Sequence, residues 1–441
     1  MDDLTLASSY ATGNGETMSY ARFRLAATMI IAAVILATAI GADACFAAET
    51  SKEATWPEFH GRGRTNISPD TGLLKKWPED GPELIWSYER CGRGYSGVAI
   101  VDGMIFTAGD FGDVEMIIAL DMDGKLLWKA QNGDAWLRSC PGSRTTPTYD
   151  DGVLYHMNPL GRLAAFEAKT GKEIWAVDLA ERFEARYGVW ALAENVIVED
   201  GKVLCMPGGP EGRVVALDKR TGKTVWANTE IKNTAAYCSP VVVEHEGVRQ
   251  LLTMTQRSLV SVDVKTGKTL WSTPFVPTSP QNALTPVYHN GFVFVACGHS
   301  TGGALFKIDM KSGTAKEVWY RKDLDNCHGG AMLVGDKLFG CGCRMGGKSF
   351  YCVDFMTGKT KKMEKSIGKV GITAADGMIY ALNHRGMMYL IEVTDDGFEI
   401  ASQFDLGKMP PNSYLAHPVV CGGRMYLKQD RRLFVYDVRG K

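Results

Sequence analysis

One phrase recurs along the chain: a short apolar strand ending in an acidic residue, a turn containing glycine, and a second strand ending in tryptophan. "VVALDKRTGKTVW", from Val214 to Trp226, is one copy, and "LVSVDVKTGKTLW" and "RLAAFEAKTGKEIW" are others. The acidic residue returns at intervals of 38 to 51 residues, which indicates a repeat architecture. The acidic anchors are Asp121, Glu167, Asp218, Asp263, Asp309, Asp354, Glu392 and Asp437.

Each repeat carries a second hairpin signal upstream of its anchor. Stretches such as "VAIVDGMIFTAG" and "TPVYHNGFVFVAC" place Asp-Gly or Asn-Gly between two apolar runs, which is a strong signal for a tight β-hairpin. Two hairpins make a unit of four antiparallel strands, which is typical of a propeller blade. Eight anchors therefore predict an all-β, eight-bladed β-propeller. A seven-bladed ring is the alternative, because the seventh unit is short and has no tryptophan.

The two ends of the repeat region predict a closed ring. The last unit stops at "LFVYDVRGK" without a fourth strand, whereas "PELIWSYE" around Trp86 is a strand with no unit before it. We expect this N-terminal strand to complete the last blade from outside, because closure leaves no free sheet edge. Within the repeat, Asp218 should accept turn amides, Gly222 should supply a positive φ, and Trp226 should fill the wedge between blades.

The first 48 residues predict an export signal. Arg22 and Arg24 precede the uncharged run "LAATMIIAAVILATAIGA", and small residues follow it, as in a secretory signal peptide. Met18 is the preferred translation start, and the apolar run is also long enough to be kept as a membrane anchor. We expect residues 49–83 to form a lead-in and residues 84–441 the propeller. The expected location is the periplasm, or the outer side of the inner membrane through the N-terminal segment.

Charge and cysteine content limit the classes of partner and metal site. Lys and Arg number 49 against 50 Asp and Glu, a balance that argues against nucleic acid as the main partner. Of the 11 cysteines, four form a cluster in which disulfides are plausible for an exported protein. Hairpin turns would place Cys327 opposite Cys343 and Cys341 near Cys352. Their spacing matches no closed zinc pattern, so no metal site is predicted.

A candidate ligand site follows from propeller geometry. On one face of the ring, the funnel face, the loops entering each inner strand meet the loops that join the second and third strands. Basic and aromatic residues on these loops suit an anionic or polar ligand, although solvated loops without a ligand are the alternative. The main acids there are Asp110, Asp113 and Glu184. The candidate ligand-binding residues are Arg93, Tyr95, Arg144, Tyr187, Trp190, Tyr237, Gln256, His299, His328, Arg344, His384, Arg385 and His417.

The repeated turn phrase resembles the tryptophan docking motif of the pyrroloquinoline-quinone-type propellers, A-x-D-x-x-T-G-x-x-x-W. "ALDKRTGKTVW" matches it closely, and "SVDVKTGKTLW" and "AFEAKTGKEIW" match it with single departures. The resemblance extends from about Trp56 to the C-terminus. That superfamily includes quinoprotein alcohol and sugar dehydrogenases, and also the outer-membrane assembly lipoprotein BamB, which binds protein and carries no cofactor. Fold alone does not choose between these functions.

The resemblance to the dehydrogenases implies a cofactor site that requires several specific groups. Its quinone lies in the central funnel between a tryptophan and a disulfide of adjacent cysteines, with a calcium ion and an aspartate base. This sequence has no adjacent cysteine pair and is shorter than those enzymes. Trp190 is its obvious candidate for the tryptophan against which the quinone would lie. We therefore expect a non-catalytic binding or scaffold module without a cofactor or an assigned catalytic residue. The alternative is a dehydrogenase of an alcohol or sugar that depends on pyrroloquinoline quinone and calcium.

Overall fold

The computed structural model describes residues 54–279, 281–344, 348–407 and 414–440. These residues form eight sheets of four antiparallel strands, one of which carries a short fifth strand in parallel at its inner edge, which confirms the eight-bladed propeller and excludes the seven-bladed ring. The predicted signal or anchor, residues 1–48, lies outside the described residues. Within the described ranges, no helix is long and apolar enough to cross a membrane.

The lead-in and the first four blades contain the following elements. The lead-in has a 3-10 turn at Arg62–Arg64 and the strand β1 (Ile67–Ser68), and the first strand of the propeller, β2 (Leu84–Tyr88), follows it. Blade 1 contains β3 (Ala99–Val101), β4 (Met104–Phe111), β5 (Val114–Asp121) and β6 (Leu126–Asp134). Blade 2 contains β7 (Thr148–Asp150), β8 (Val153–Met157), β9 (Arg162–Glu167) and β10 (Glu173–Asp178), and the helix α1 (Leu179–Phe183) follows it. Blade 3 contains β11 (Ile197–Glu199), β12 (Lys202–Cys205), β13 (Val214–Asp218) and β14 (Thr224–Asn228). Blade 4 contains β15 (Val241–His245), β16 (Val248–Met254), β17 (Ser258–Asp263) and β18 (Thr269–Pro274).

The remaining four blades complete the ring. Blade 5 contains β19 (Val287–His289), β20 (Phe292–Cys297), β21 (Gly302–Asp309) and β22 (Thr314–Arg321). Blade 6 contains β23 (Ala331–Val334), β24 (Lys337–Cys341), β25 (Phe350–Asp354) and β26 (Thr360–Glu364). Blade 7 contains β27 (Val370–Ala375), β28 (Met378–Asn383), β29 (Met387–Thr394) and β30 (Gly397–Asp405). Blade 8 contains β31 (Val419–Cys421), β32 (Arg424–Gln429) and β33 (Arg432–Asp437), and β2 pairs with β33 as its outer strand.

The recurring turn holds neighbouring blades together. Asp218 ends β13, and its carboxylate accepts hydrogen bonds from the amides of Arg220 and Thr221 at 3.1 and 2.9 Å. Trp226 at the end of the phrase donates its indole N–H to the carbonyl of Val264 in the next blade at 3.1 Å. Gly222 has a φ of 66°, so it meets the backbone requirement of the turn. The phrase therefore serves the fold, as its sequence predicts.

We expect Gly222→Ala to destabilise the propeller by about 2–3 kcal/mol, combining left-handed strain with overpacking. A Cβ at this position would lie 2.7 Å from the Trp175 ring of the preceding blade. Gly201→Ala is the matched control, because its φ is 73° and a Cβ there would meet nothing within 4 Å. Urea denaturation of both variants measures the difference. Equal losses of stability would show that the approach of Trp175 does not matter.

The lead-in runs through the central channel, which the inner strands of a propeller surround. Its backbone pairs with Ile100 of β3 through Trp56, with N···O distances of 2.8 Å in both directions. The carbonyl of Pro57 accepts from the amide of Tyr149 in β7 at 2.8 Å. Further along the lead-in, β1 pairs in parallel with β27, the inner strand of blade 7. The lead-in thus joins the inner strands of three blades.

Candidate functional site

The funnel face is organised by backbone hydrogen bonds between loops. The amide of Arg93, before the first inner strand, donates to the carbonyl of Asp110 at the end of β4 at 2.9 Å. The amide of Tyr95 donates to the carbonyl of Ser143, which belongs to the loop entering blade 2, at 2.7 Å. These contacts fix the loops that carry the predicted ligand-binding residues. They also show why residues distant in sequence lie together on this face.

One part of the funnel face is an aromatic–arginine group, which we define as Tyr95, Arg144, Trp190 and Tyr237. The guanidinium of Arg144 lies 5.7 Å from the centre of the Tyr95 ring. Its Nη2 donates to the carbonyl of Cys140 at 2.8 Å, which holds the side chain in place. The rings of Trp190 and Tyr237 are 5.5 Å apart and tilted by 57°. Burial raises the pKa of both tyrosines, so their hydroxyls stay protonated.

A second part is a basic cluster, which we define as His299, His328, Arg344, Lys369 and His384. Desolvation is the largest cause of the lowered pKa of the three histidines, and the positive charge of Lys369 contributes at each of them. Lys369 thus shares one electrostatic neighbourhood with all three rings. The side chain of Arg344 is exposed, so the cluster is open to solvent. Such a surface favours a bound anion.

Asp325 ties the loops of the basic cluster together. Its carboxylate accepts hydrogen bonds from the amides of Ser300 at 3.0 Å, Cys343 at 3.0 Å and Arg344 at 2.9 Å. The residue is fully buried, so these contacts are shielded from water. Loops from blades 5 and 6 therefore keep a fixed geometry around one carboxylate.

The structure places the other predicted ligand-binding residues around these two groups. Tyr187 makes an edge contact with Trp136 at 6.0 Å between ring centres, beside the aromatic–arginine group. Arg93 and Arg385 are exposed, and Gln256 is half-buried in the turn after β16. His417 is 9% exposed and belongs to the channel, below the open face. A ligand on the open face would therefore contact His417 less than its place in a funnel loop predicts.

His417 instead contacts the lead-in. Its ring lies 4.6 Å from the ring of His60, and its Nδ1 is 3.3 Å from the amide nitrogen of Asn66. A cavity of about 40 Å³ between His417, Tyr95 and the lead-in has room for ordered water. The lead-in thus forms the floor of the funnel. Sequence reasoning missed this floor, because "WPEFHGRGRTNISPD" has no periodic pattern that would place it in the channel.

Two buried carboxyl groups belong to the β4–β5 hairpin. Asp110 and Glu115 are directly opposite each other in the ladder and are 5% and 0% exposed. None of their four carboxyl oxygens has a hydrogen-bond partner among the described residues. Burial raises the pKa of Asp110 to about 7 and that of Glu115 well above its ordinary value, while Arg144 acts in the opposite direction on both. Both carboxyl groups therefore keep their protons to a higher pH than an exposed carboxyl group does.

One of the two cysteine pairs expected from the sequence forms a disulfide. Cys327 and Cys343 form a disulfide, which confirms the expected pair. The expected pair of Cys341 and Cys352 is wrong, and both residues are free thiols. The strand register explains the difference, because Cys341 pairs with Phe350 while Cys352 lies opposite Phe339. The two sulfurs therefore do not meet.

The described residues do not fit a calcium-bound quinone. Calcium requires several oxygen ligands, but among the described residues no third acidic side chain is grouped with Asp110 and Glu115, and the cation of Arg144 acts on both. In the described part of the chain, the group of three His, Cys, Asp or Glu side chains close enough to share an ion is His299, Cys327 and Cys343. That group offers nitrogen and sulfur rather than oxygen.

Residues 110–364 match the family described as "Outer membrane protein assembly factor BamB". Among curated relatives, the quinohemoprotein alcohol dehydrogenase ADH-IIG of Pseudomonas putida is 34% identical over 154 residues, which are 32% of this chain and 21% of that protein. The outer membrane protein assembly factor BamB of Nitrosomonas eutropha is 28% identical over 211 residues, 47% of this chain and 44% of that protein. The matches thus span about a fifth to less than half of these relatives.

Solved structures share the fold. BamB from Moraxella catarrhalis aligns with a TM-score of 0.56 and 16% identity, covering 81% of this chain and 98% of that one. A europium-containing methanol dehydrogenase aligns with a TM-score of 0.61 and 14% identity, covering 86% of this chain and 89% of that one. At these identities the likeness shows the propeller alone.

Proposed function

Because this chain belongs to the family described as outer membrane protein assembly factor BamB, we propose that it is an exported, non-catalytic binding module. Its funnel face holds a protein partner or a small ligand that carries carboxylate or phosphate groups. It works in the periplasm or on the outer side of the inner membrane, where its N-terminal segment can attach it. The family contains binding proteins and quinoprotein relatives alike, so the proposal depends on the site.

The basic cluster is the observation that carries this proposal. Arg344 is a permanent cation, Lys369 adds a second positive charge although burial lowers its pKa, and three histidine rings beside them offer further hydrogen-bond donors or acceptors. The neighbouring acid, Asp325, is buried and accepts hydrogen bonds from three backbone amides, and its single negative charge offsets the positive charges of Lys369 and Arg344 only in part. An anionic group arriving in the funnel meets preorganised loops and excess positive charge. Specific recognition of a partner's acidic surface follows from this arrangement.

A quinoprotein dehydrogenase is the second candidate, favoured by the identity to quinohemoprotein alcohol dehydrogenases and by the aromatic pair of Trp190 and Tyr237. Titration of the purified protein with pyrroloquinoline quinone and Ca²⁺, followed by dye-linked assays with alcohols and sugars, separates the two functions. We expect no calcium-dependent quinone binding and no dye reduction. Tight binding with turnover of any alcohol or sugar would overturn the scaffold proposal.

Lys369→Gln tests anion recognition directly. A fluorescent glutamate-rich peptide serves as the probe, and we expect this substitution to weaken its binding about tenfold, or about 1.4 kcal/mol. Higher salt should weaken the binding to the original protein more than to the variant, because screened charge–charge attraction is lost in the variant. Lys322→Gln, at an exposed position before blade 6, is the control and should change affinity little. Equal binding by both variants would contradict a role for the basic cluster.

A further inference from the structure

Three side chains on the funnel face bring together an imidazole and two sulfurs. The ligand atoms of His299, Cys327 and Cys343 all lie within 4.8 Å of one another. His299 lies between β20 and β21 of blade 5, Cys327 is on the loop entering blade 6, and Cys343 follows β24. His299 and Cys327 are half-buried and Cys343 is buried, so the group opens towards the funnel on one side.

The position of these side chains does not depend on the disulfide alone. Asp325 accepts hydrogen bonds from the amides of Ser300, next to His299, and of Cys343. The amide of Cys343 also donates to the carbonyl of Asp325 at 2.8 Å. Because this buried residue is two positions from Cys327, one anchor restrains the backbone beside all three side chains. Reduction of the disulfide would leave the three loops near their present positions.

A set of one imidazole and two thiolates selects thiophilic d10 cations such as Zn²⁺ and Cu⁺. Ligand atoms around a tetrahedral zinc ion are about 3.8 Å apart for two sulfurs, given zinc–sulfur bonds of about 2.3 Å. The observed spread is compatible with this geometry once the sulfur–sulfur bond opens. Three protein ligands leave a fourth position, and the open side of the group gives solvent or a ligand access to it.

We propose that His299, Cys327 and Cys343 form a redox-controlled binding site for a single thiophilic metal ion. A dithiol reductant transfers two electrons and two protons to the Cys327–Cys343 bond and itself becomes a disulfide. The metal ion then displaces the two thiol protons and binds both thiolates and the His299 imidazole. An oxidant that is itself a disulfide takes two electrons from the two thiolates and two protons from water, and becomes a dithiol. The Cys327–Cys343 bond then re-forms and the ion is released, so the disulfide and the metal-bound form exclude each other. This site extends beyond the scaffold function and does not require it.

The test uses Zn²⁺ as its probe and the full chain in a Cys45→Ser/Cys140→Ser background. Cys140 is the exposed free cysteine among the described residues, and Cys45 lies outside them. The disulfide is reduced with a water-soluble phosphine, which takes up oxygen from one water molecule while the sulfurs take up its two hydrogens. Competition with a chromophoric chelator then measures zinc binding. We expect one Zn²⁺ for each reduced chain and none for the oxidised chain.

His299→Ala should weaken zinc binding to the reduced chain by about a hundredfold, because one of three protein ligands is lost. His289→Ala is the matched control, since His289 is an exposed histidine on the inner strand of the same blade. Cys343→Ser should abolish the one-to-one binding, and circular dichroism must show that every variant is folded. The proposal is overturned if folded, reduced protein binds no zinc, or if His299→Ala and His289→Ala bind it equally well.

Discussion

Replacing Arg64 with alanine is expected to destabilise the protein by about 3–5 kcal/mol, because it breaks a buried charged network. The side chain of Arg64 is fully buried in the channel. Its Nη1 donates to the carbonyls of Asn195 at 2.8 Å and Pro240 at 2.9 Å, and its Nη2 donates to the carbonyl of Val196. Its Nε donates to the carboxylate of Glu58 at 2.9 Å. The substitution would remove the donor to the carbonyls of Asn195 and Pro240 and to the Glu58 carboxylate, whereas the Val196 carbonyl keeps the hydroxyl of Thr148.

Arg62→Ala provides the control, because Arg62 belongs to the same 3-10 turn but is exposed. We expect its effect to stay within about 0.5 kcal/mol, as at most surface positions. Urea denaturation gives the change in the free energy of unfolding for both variants. Limited proteolysis adds a local measurement, since loss of the Arg64 contacts should expose the lead-in to cleavage. Equal stability and equal cleavage of the two variants would show that Arg64 does not hold the lead-in in the channel.

Arg64 also shows where sequence reasoning stops. The hairpins of each blade are local, so Asp218, Gly222 and Trp226 reveal their roles within one short phrase. The contacts of Arg64 with Asn195, Val196 and Pro240 instead cross more than 130 residues and end on backbone carbonyls. Every residue has a backbone carbonyl, so no pattern in the sequence predicts which carbonyls accept hydrogen bonds from Arg64. The closed ring could be predicted, but the lead-in through its channel could not.

The candidate site divides in the same way. Loop position in the repeat predicted that His299, His328, Arg344 and His384 share one face, and the structure brings them together with Lys369. Lys369 directly precedes β27, so the same positional rule applies to it. Loop position predicts which face of the propeller a residue lies on, but not how deeply its side chain is buried. His417 is an example, because it lies in the channel beside His60. The burial of such a side chain depends on its contacts with the lead-in, and the repeat pattern does not predict where the lead-in runs.

The largest pH effect is expected from the carboxyl pair of Asp110 and Glu115. The groups facing the pair are the cations of Arg93, Arg144 and Lys428 and the hydroxyl of Ser143. Burial outweighs their influence and raises the pKa of Asp110 from 3.8 to about 7. Between these two values the folded state keeps a proton that the unfolded state has released. The contribution of Asp110 to stability is therefore complete below pH 4 and is lost as the pH rises through about 7.

Asp110→Asn should remove this loss, because an amide stays neutral at every pH in the range. The free energy of unfolding of the original protein should fall relative to the variant between about pH 4 and 7, by up to about 1.4 kcal/mol per pH unit. Asp113→Asn, at the exposed tip of the same hairpin, should leave the pH dependence unchanged. Urea denaturation at half-unit pH steps measures all three proteins. Parallel profiles for the original protein and Asp110→Asn would mean that Asp110 titrates alike in the folded and unfolded chains.

Glu115→Gln tests whether the pH dependence belongs to Asp110 or to its neighbour. Burial keeps the proton on Glu115, and a neutral Glu115 does not repel the Asp110 carboxylate, so a neutral glutamine at 115 should leave the titration of Asp110 in place. The decline in stability that Asp110 causes between about pH 4 and 7 should therefore persist in this variant. Loss of that decline in Glu115→Gln would show that Glu115, and not Asp110, causes it. Either profile reports on the β4–β5 hairpin, whose backbone is joined to the funnel loop at Arg93.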